Sequence, residues 1–312
     1  MRIAYLFPGQ GAQSIGMAED FYREFDIVRE LFDMAEEITR INLSRLCFKG
    51  PMEDLTRTIH LQPALTVVNL ACLAVVEREV GGAAADMCAG HSLGEFSALN
   101  AAGIINREDT LRLVLRRGEL MHREAQKQEG AMQAIVGLDI DAVSELVTEG
   151  RKSGVVSVAN HNTAQQIVIT GTPPAVQQVA RAAAARGAKA VPLKVSGAWH
   201  SELIRGAEKS FADFLAAISF ETPKKSVIFN VTADHCDHPA DIRDIVARQL
   251  CSPVRWYDSM LKMCESGVDR YIEIGPGRVL TGMLRKILPR GGDARMFNLG
   301  NLKQLEILLK EF

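Results

Sequence analysis

The chain has 312 residues, 47% hydrophobic and 24% charged, with a formal net charge of −2. These values match an average soluble globular protein and exclude a disordered, collagen-like or coiled-coil chain. A charge so near zero gives no electrostatic case for nucleic-acid binding, and the length allows one large domain or two smaller ones.

Ile3–Phe7 (IAYLF) reads as a first buried strand. The segment lacks the long apolar stretch and small-residue cleavage site of a signal peptide. No apolar run reaches the roughly 18 residues that suggest a membrane span. The cysteines are scattered, with no CxxC pair, which fits reduced thiols in a cytoplasmic protein. Residues 63–80 carry a helical period. Residues 85–89 form a short apolar strand, followed by glycine and a helical stretch over 95–102. Strand–turn–helix units of this kind predict a parallel sheet covered by helices. A further helix is expected over 108–124.

The middle of the chain changes rhythm. Strands are expected at 131–138, 155–159, 166–170 and 189–195, with the turn HNTAQ between the second and third. Helices are expected at 141–150, capped by Asp139 or Asp141, and at 174–185. The order βαββαβ is the ferredoxin-like pattern. It predicts a small domain (128–196) inserted into a larger α/β domain (1–127 and 197–312). Beyond it, a helix is expected over 201–218, a strand over 227–231, a helix over 242–250, a strand over 270–274 and a helix over 280–287.

The sharpest local signal is Gly90-His91-Ser92-Leu93-Gly94, a GxSxG sequence between an apolar strand and a helix. That context fits a nucleophile elbow, where small flanking residues let a strained turn lift the serine above the sheet. An ordinary glycine-rich turn would satisfy the five residues without the context. A serine needs a base, and His200 follows a strand and opens a helix, where the N-terminus would keep the imidazole neutral. A capping or partly buried histidine is the alternative. His91 adjoins Ser92, so the turn should aim its ring elsewhere. Arg117 shares the apolar helix face of Leu113, Val114, Leu120 and Met121, an expensive place for a guanidinium. It is either a structural ion pair with a buried carboxylate or a clamp for a substrate carboxylate. Asp234-His235-Cys236-Asp237-His238 gathers ligand-type residues, but its position between a strand and a helix favours a solvated loop over a metal site.

With these residues in place, the whole chain resembles the malonyl-CoA:acyl carrier protein transacylases and the related acyltransferase domains of polyketide synthases. The motifs, in family order, are Phe7-Pro8-Gly9-Gln10-Gly11-Ala12-Gln13, Leu61-Gln62-Pro63-Ala64, Gly90 to Glu95, Arg117-Gly118, Val195 to Ser201, Gln249-Leu250 with Ser252-Pro253-Val254, and Glu273-Ile274-Gly275-Pro276-Gly277. The resemblance implies an α/β-hydrolase-like domain with a ferredoxin-like insertion. It implies Ser92 as nucleophile, His200 as base, and a main-chain carbonyl of Gln249 orienting His200. Arg117 would hold the malonyl carboxylate. Backbone N–H groups of Gln10 and Leu93 would form the oxyanion hole, and Gln62, Asn160 and Asn162 would line the pocket.

The same resemblance implies malonyl-CoA as substrate and acyl carrier protein as partner. It implies no cofactor, no bound metal, no nucleic acid, no membrane and a monomer. Trp199 stands where the family often has Phe. The larger ring either narrows the pocket in favour of malonyl over methylmalonyl or serves as an equivalent aromatic wall. An uncharged carbonyl behind His200 should suffice for a thiol acceptor, and Gln249→Glu is expected to raise hydrolysis. The rival readings are an acyl hydrolase that edits carrier-bound chains, which has no use for Arg117, and a non-catalytic partner protein, which needs none of Ser92, His200 and Arg117.

Overall fold

The computed structural model of the chain describes residues 1–289 and 291–312. Among the described residues the strands are β1 (Ile3–Phe7), β2 (Met87–Gly90), β3 (Ala131–Val136), β4 (Val156–Thr163), β5 (Gln166–Gly171), β6 (Lys189–Pro192), β7 (Ser226–Ile228), β8 (Arg270–Ile274) and β9 (Arg295–Leu299). They sort into a parallel sheet of order β7-β2-β1-β8-β9 and an antiparallel sheet of order β4-β5-β3-β6.

β1 and β2 are apolar and buried along their whole length. Both faces of this sheet are covered, so these strands read as continuous apolar runs instead of alternating ones. Phe7 pairs with Gly90, which brings the loops after β1 and β2 side by side at the carboxyl edge of the sheet. The loops after β7 and β8 open at the same edge. In an open parallel sheet this edge is where ligands bind. The antiparallel sheet has the strand adjacency of a ferredoxin-like unit, and the helices Ile140–Gly150 and Pro173–Ala185 pack on it through their own apolar cluster.

Several elements depart from the expectations. The helix placed at 63–80 runs Thr58–Glu79, with Pro63 in its second turn. Its length and composition alone would allow it to cross a membrane, which corrects the reading that no run is long enough. Within the fold, 89% of its most apolar stretch is buried, so it is the central core helix. β4 continues to Thr163, so Asn160, His161 and Asn162 lie on a strand and not in a turn. β5 pairs with it as far as Thr163, and a non-local partner covers the other edge: His161 N–H donates to Val254 O and Val254 N–H to Ala159 O, at 2.9 and 2.8 Å. β6 and β7 are shorter than expected. The helix expected over 201–218 is a 3-10 segment, Glu202–Ala207, followed by the α-helix Glu208–Ala216. The helix expected over 242–250 ends at Arg248 and gives way to a 3-10 turn, Gln249–Cys251.

Candidate active site

The glycines around Ser92 are fixed by backbone contacts. A Cβ on Gly90 would lie 2.0 Å from the Gly94 carbonyl, and one on Gly94 would lie 2.0 Å from the Phe7 oxygen. Either position therefore admits glycine alone, and the turn can fold back over β1. Ser92 itself takes φ of 50°, a strained left-handed conformation for a residue with a side chain. The short helix Gly94–Ala101 starts directly behind it.

His200 reaches the serine from the other side. Its Nε2 lies 2.8 Å from Ser92 Oγ. Its Nδ1 faces two main-chain oxygens, Gln249 O at 3.1 Å and Ser252 O at 3.0 Å. An N–H on Nδ1 satisfies these acceptors and leaves Nε2 unprotonated, ready to accept the serine proton. His200 also has a positive φ, 60°, so both members of the pair are held in strained backbone. Burial, followed by the Arg117 charge, pushes the imidazole down to about 3. These causes replace the helix N-terminus expected from the sequence, because only a 3-10 turn follows His200.

Arg117 is fully buried on the helix Arg107–Ala125, alongside Leu113, Val114, Leu120 and Met121. Among the described residues no carboxylate pairs with it directly, so the structural ion pair is not what holds it. Nη1 donates to Gln62 Oε1 at 2.6 Å, while Nη2 donates to Gln249 Oε1 and to Ser92 Oγ, each at 3.2 Å. The guanidinium also lies over the Phe96 ring, 5.6 Å from its centroid. Burial lowers its pKa to about 10, so it stays charged at neutral pH. Neutral amide oxygens thus hold a full positive charge next to the nucleophile. An anionic substrate group is the natural partner for such a charge.

The oxyanion side is built by the loop after β1. A Cβ on Gly9 would lie 2.3 Å from His91 O and 3.6 Å from Leu93 N, so only glycine lets this loop meet the elbow. Asn69 braces the loop by donating to Pro8 O at 3.0 Å. Among the described residues, neither the Gln10 nor the Leu93 N–H donates to a protein acceptor. The Ser92 N–H is occupied, donating to Asn230 Oδ1 at 2.7 Å. The two free N–H groups are therefore those available to a developing oxyanion.

A cavity of about 230 Å³ lies between the two sheets. Ser92, His200, Arg117, Gln62, Gln10, Trp199, Asn160 and Asn162 all line it. Asn160 and Asn162 project from β4 toward His91, whose Nε2 lies 2.8 Å from Asn162 Oδ1 and 3.4 Å from Asn160 Nδ2. This contact turns the His91 ring away from Ser92. Burial depresses the His91 pKa and keeps the ring neutral. Trp199 is almost fully buried and forms a wall of the cavity.

Gln249 does more than the sequence suggested. Its side chain points away from His200, toward Arg117, Ser92 O and Glu95. A glutamate at 249 would place its carboxylate there and not behind the imidazole, which corrects the expectation attached to Gln249→Glu. Glu95 and Asn230 were not singled out in the sequence. Glu95 lies within the GHSLGE motif, and its signal is a lone carboxylate on a short, largely buried helix. Burial pushes its pKa up to about 7, against hydrogen bonds from Asn230 and Gln249 and the Arg117 charge. The 234–238 segment is a loop in which Asp234 pairs with Lys262 and His235.

An acyl transferase domain model matches residues 4–303. The malonyl CoA-acyl carrier protein transacylase of Bacillus subtilis strain 168 is 42% identical over 288 residues, covering 92% of this chain and 90% of that protein. The acyl carrier protein S-malonyltransferase of Vibrio cholerae superposes with a TM-score of 0.93 at 36% identity, covering 99% of this chain and all of that one. A malonyl-transacylase solved in complex with its type II PKS acyl-carrier protein superposes with a TM-score of 0.95 at 36% identity, over the full length of both chains. Fold, serine elbow and whole-length similarity agree: this chain belongs to the acyl transferase family.

Proposed function

We propose that the chain transfers the malonyl group of malonyl-CoA to the phosphopantetheine thiol of acyl carrier protein through a malonyl-serine ester, supplying extender units for fatty-acid synthesis. The observation that carries this reading is Arg117, a buried cation within 3.2 Å of the nucleophile whose hydrogen-bond partners among the described residues are all neutral. A simple acyl chain gives it nothing to bind, whereas a malonyl carboxylate completes it. The names of the relatives support the same substrate and partner.

In the first half-reaction Ser92 Oγ attacks the thioester carbon while His200 Nε2 accepts its proton. The Gln10 and Leu93 N–H groups stabilise the oxyanion. Collapse breaks the C–S bond, and the proton passes from His200 to the departing CoA sulfur. In the second half the carrier thiol gives its proton to His200 and attacks the ester carbonyl. Collapse of that intermediate returns the proton to Ser92 Oγ. The reading assigns no cofactor and no metal, since the phosphopantetheine arrives on the carrier. It places the enzyme in the cytoplasm as a monomer, acting without nucleic acid or membrane.

Intact-mass analysis after mixing with malonyl-CoA tests the proposal. The expected result is a malonyl adduct that is absent in Ser92→Ala and moves to holo acyl carrier protein when that is added. Release of malonate with neither adduct nor carrier loading would overturn it.

A further inference from the structure

Behind the reacting atoms lies a layer of polar groups that the transfer steps do not use. Glu95 is fully buried in the first turn of the elbow helix. Both of its oxygens act as acceptors. Oε1 takes Gln249 Nε2–H at 2.8 Å, and Oε2 takes the main-chain N–H of Asn230 at 2.5 Å. The Asn230 side chain accepts from Ser92 N–H and donates to Gly90 O, each at 2.7 Å. Gln249 Nε2 also donates to Ser92 O at 3.0 Å, and Gln249 Oε1 accepts from Arg117 Nη2 at 3.2 Å.

These partners differ in freedom. The Asn230 N–H belongs to the main chain and is a fixed donor. The Gln249 amide can turn over, exchanging an accepting oxygen for a donating NH₂. Two acceptors opposite its nitrogen, Glu95 Oε1 and the main-chain oxygen of Ser92, hold it in the observed sense, and Glu95 is the nearer. We infer that Glu95 is a positioning residue. By accepting at both oxygens it keeps the Gln249 amide oxygen, and not its NH₂, toward Arg117, and so sets the preference of the site for acyl groups that carry a carboxylate. The inference rests on the malonyl reading above and gives the Gln249 side chain a role separate from its main-chain contact with His200. Glu95 is not the direct ion-pair partner of Arg117, because the Gln249 amide stands between them.

Glu95→Gln separates the two partners. Its carbonyl oxygen still serves the fixed Asn230 N–H, while its NH₂ opposes the Gln249 NH₂. That repulsion leaves the amide with Ser92 O as its one remaining acceptor and displaces the oxygen to which Arg117 donates. Loading of Ser92 from malonyl-CoA and from acetyl-CoA is measured, each normalised to the fraction of enzyme acylated in a burst. Malonyl kcat/KM should fall about 10- to 100-fold, the worth of one charge-assisted hydrogen bond, mostly through KM. Acetyl kcat/KM should change by no more than about threefold. Gln249→Leu should lower the malonyl-to-acetyl ratio similarly, and adding Glu95→Gln to it should lower the ratio no further.

Equal losses on both substrates, or additive losses in the double variant, would overturn the inference. Should Glu95→Gln fail to fold, Gln249→Leu decides alone, and an unchanged ratio overturns the proposal. Wild-type enzyme in the same assay keeps the two readings apart. Absent malonyl loading there overturns malonyl transfer itself, whereas normal loading with an unaltered ratio in the variants overturns only the role of Glu95.

Discussion

Arg117→Ala is the substitution that separates a substrate clamp from a structural arginine. The side chain is inaccessible to solvent and donates to Gln62 and Gln249. Removing it leaves those amide oxygens buried without donors, which costs about 1–3 kcal/mol each in stability. Kinetics must therefore be normalised to folded, acylatable enzyme. On the substrate side, a malonyl carboxylate desolvated next to Ser92 would lose its only cation. Breaking a buried pair by deleting one partner costs about 3–5 kcal/mol, or roughly 10²- to 5 × 10³-fold in kcat/KM. Acetyl-CoA has no carboxylate, so its loading should change by less than about tenfold. Arg117→Lys keeps the charge but cannot donate along two directions at once, and should fall between the two. Stopped-flow loading of Ser92 from both thioesters reads this directly. Equal losses on malonyl and acetyl would refute the clamp.

Two further outcomes follow from the same geometry. In Gly9→Ala the new Cβ would collide with His91 O, forcing the loop after β1 and the Gln10 N–H away from the elbow; kcat should drop about 10²- to 10³-fold with CoA-ester binding nearly intact, as loss of one oxyanion donor predicts. The pH dependence concerns His200. Its active form is neutral, and burial holds its pKa near 3, so that form persists as pH falls from 8 to 5. Acetyl loading in Glu95→Gln, which removes the one nearby group that titrates at about 7, should show no acid limb near 6.5, and an inflection there would contradict the burial. Because the Arg117 charge is the second cause of the depression, the limb should move upward in Arg117→Ala.

The fold was legible where local signals are self-sufficient. The GxSxG turn is dictated by contacts within a few residues and the adjacent strand. The βαββαβ unit follows from alternating periods, and Arg117 betrays itself on an apolar helix face. Reading failed where a distant partner decides. The segment from His161 looks like a turn because Asn162 disfavours strands and polar residues follow it. It continues β4 because β5 pairs with it as far as Thr163, and Val254, nearly a hundred residues later, bridges the other edge. Pro63 looks like a helix start, yet the helix begins at Thr58, and the extra turn is what carries Gln62 to Arg117. Glu95 and Asn230 have no sequence signal for their pairing, since one lies after β2 and the other after β7, strands that become neighbours only in the folded sheet.

The absence of a carboxylate behind His200 has a specific physical form here. The imidazole Nδ1 faces two uncharged carbonyls, and the nearest buried charge, Arg117, is positive. Burial first, and then the Arg117 charge, make the imidazolium costly against the two carbonyls, which favour it, and so leave the histidine a weak base. The carboxylate that the site does contain, Glu95, is turned onto Gln249 and Asn230 instead. A weak base discriminates between acceptors: it can take a proton from a thiol, which is far more acidic than water, but activates water poorly. Burial, with the Arg117 charge second to it, thus keeps His200 a base suited to a thiol and ill suited to water. On the proposed mechanism Arg117 bears both on carboxylate recognition and on the strength of the base. A variant that relieves its effect on His200 should lose carboxylate recognition in the same step.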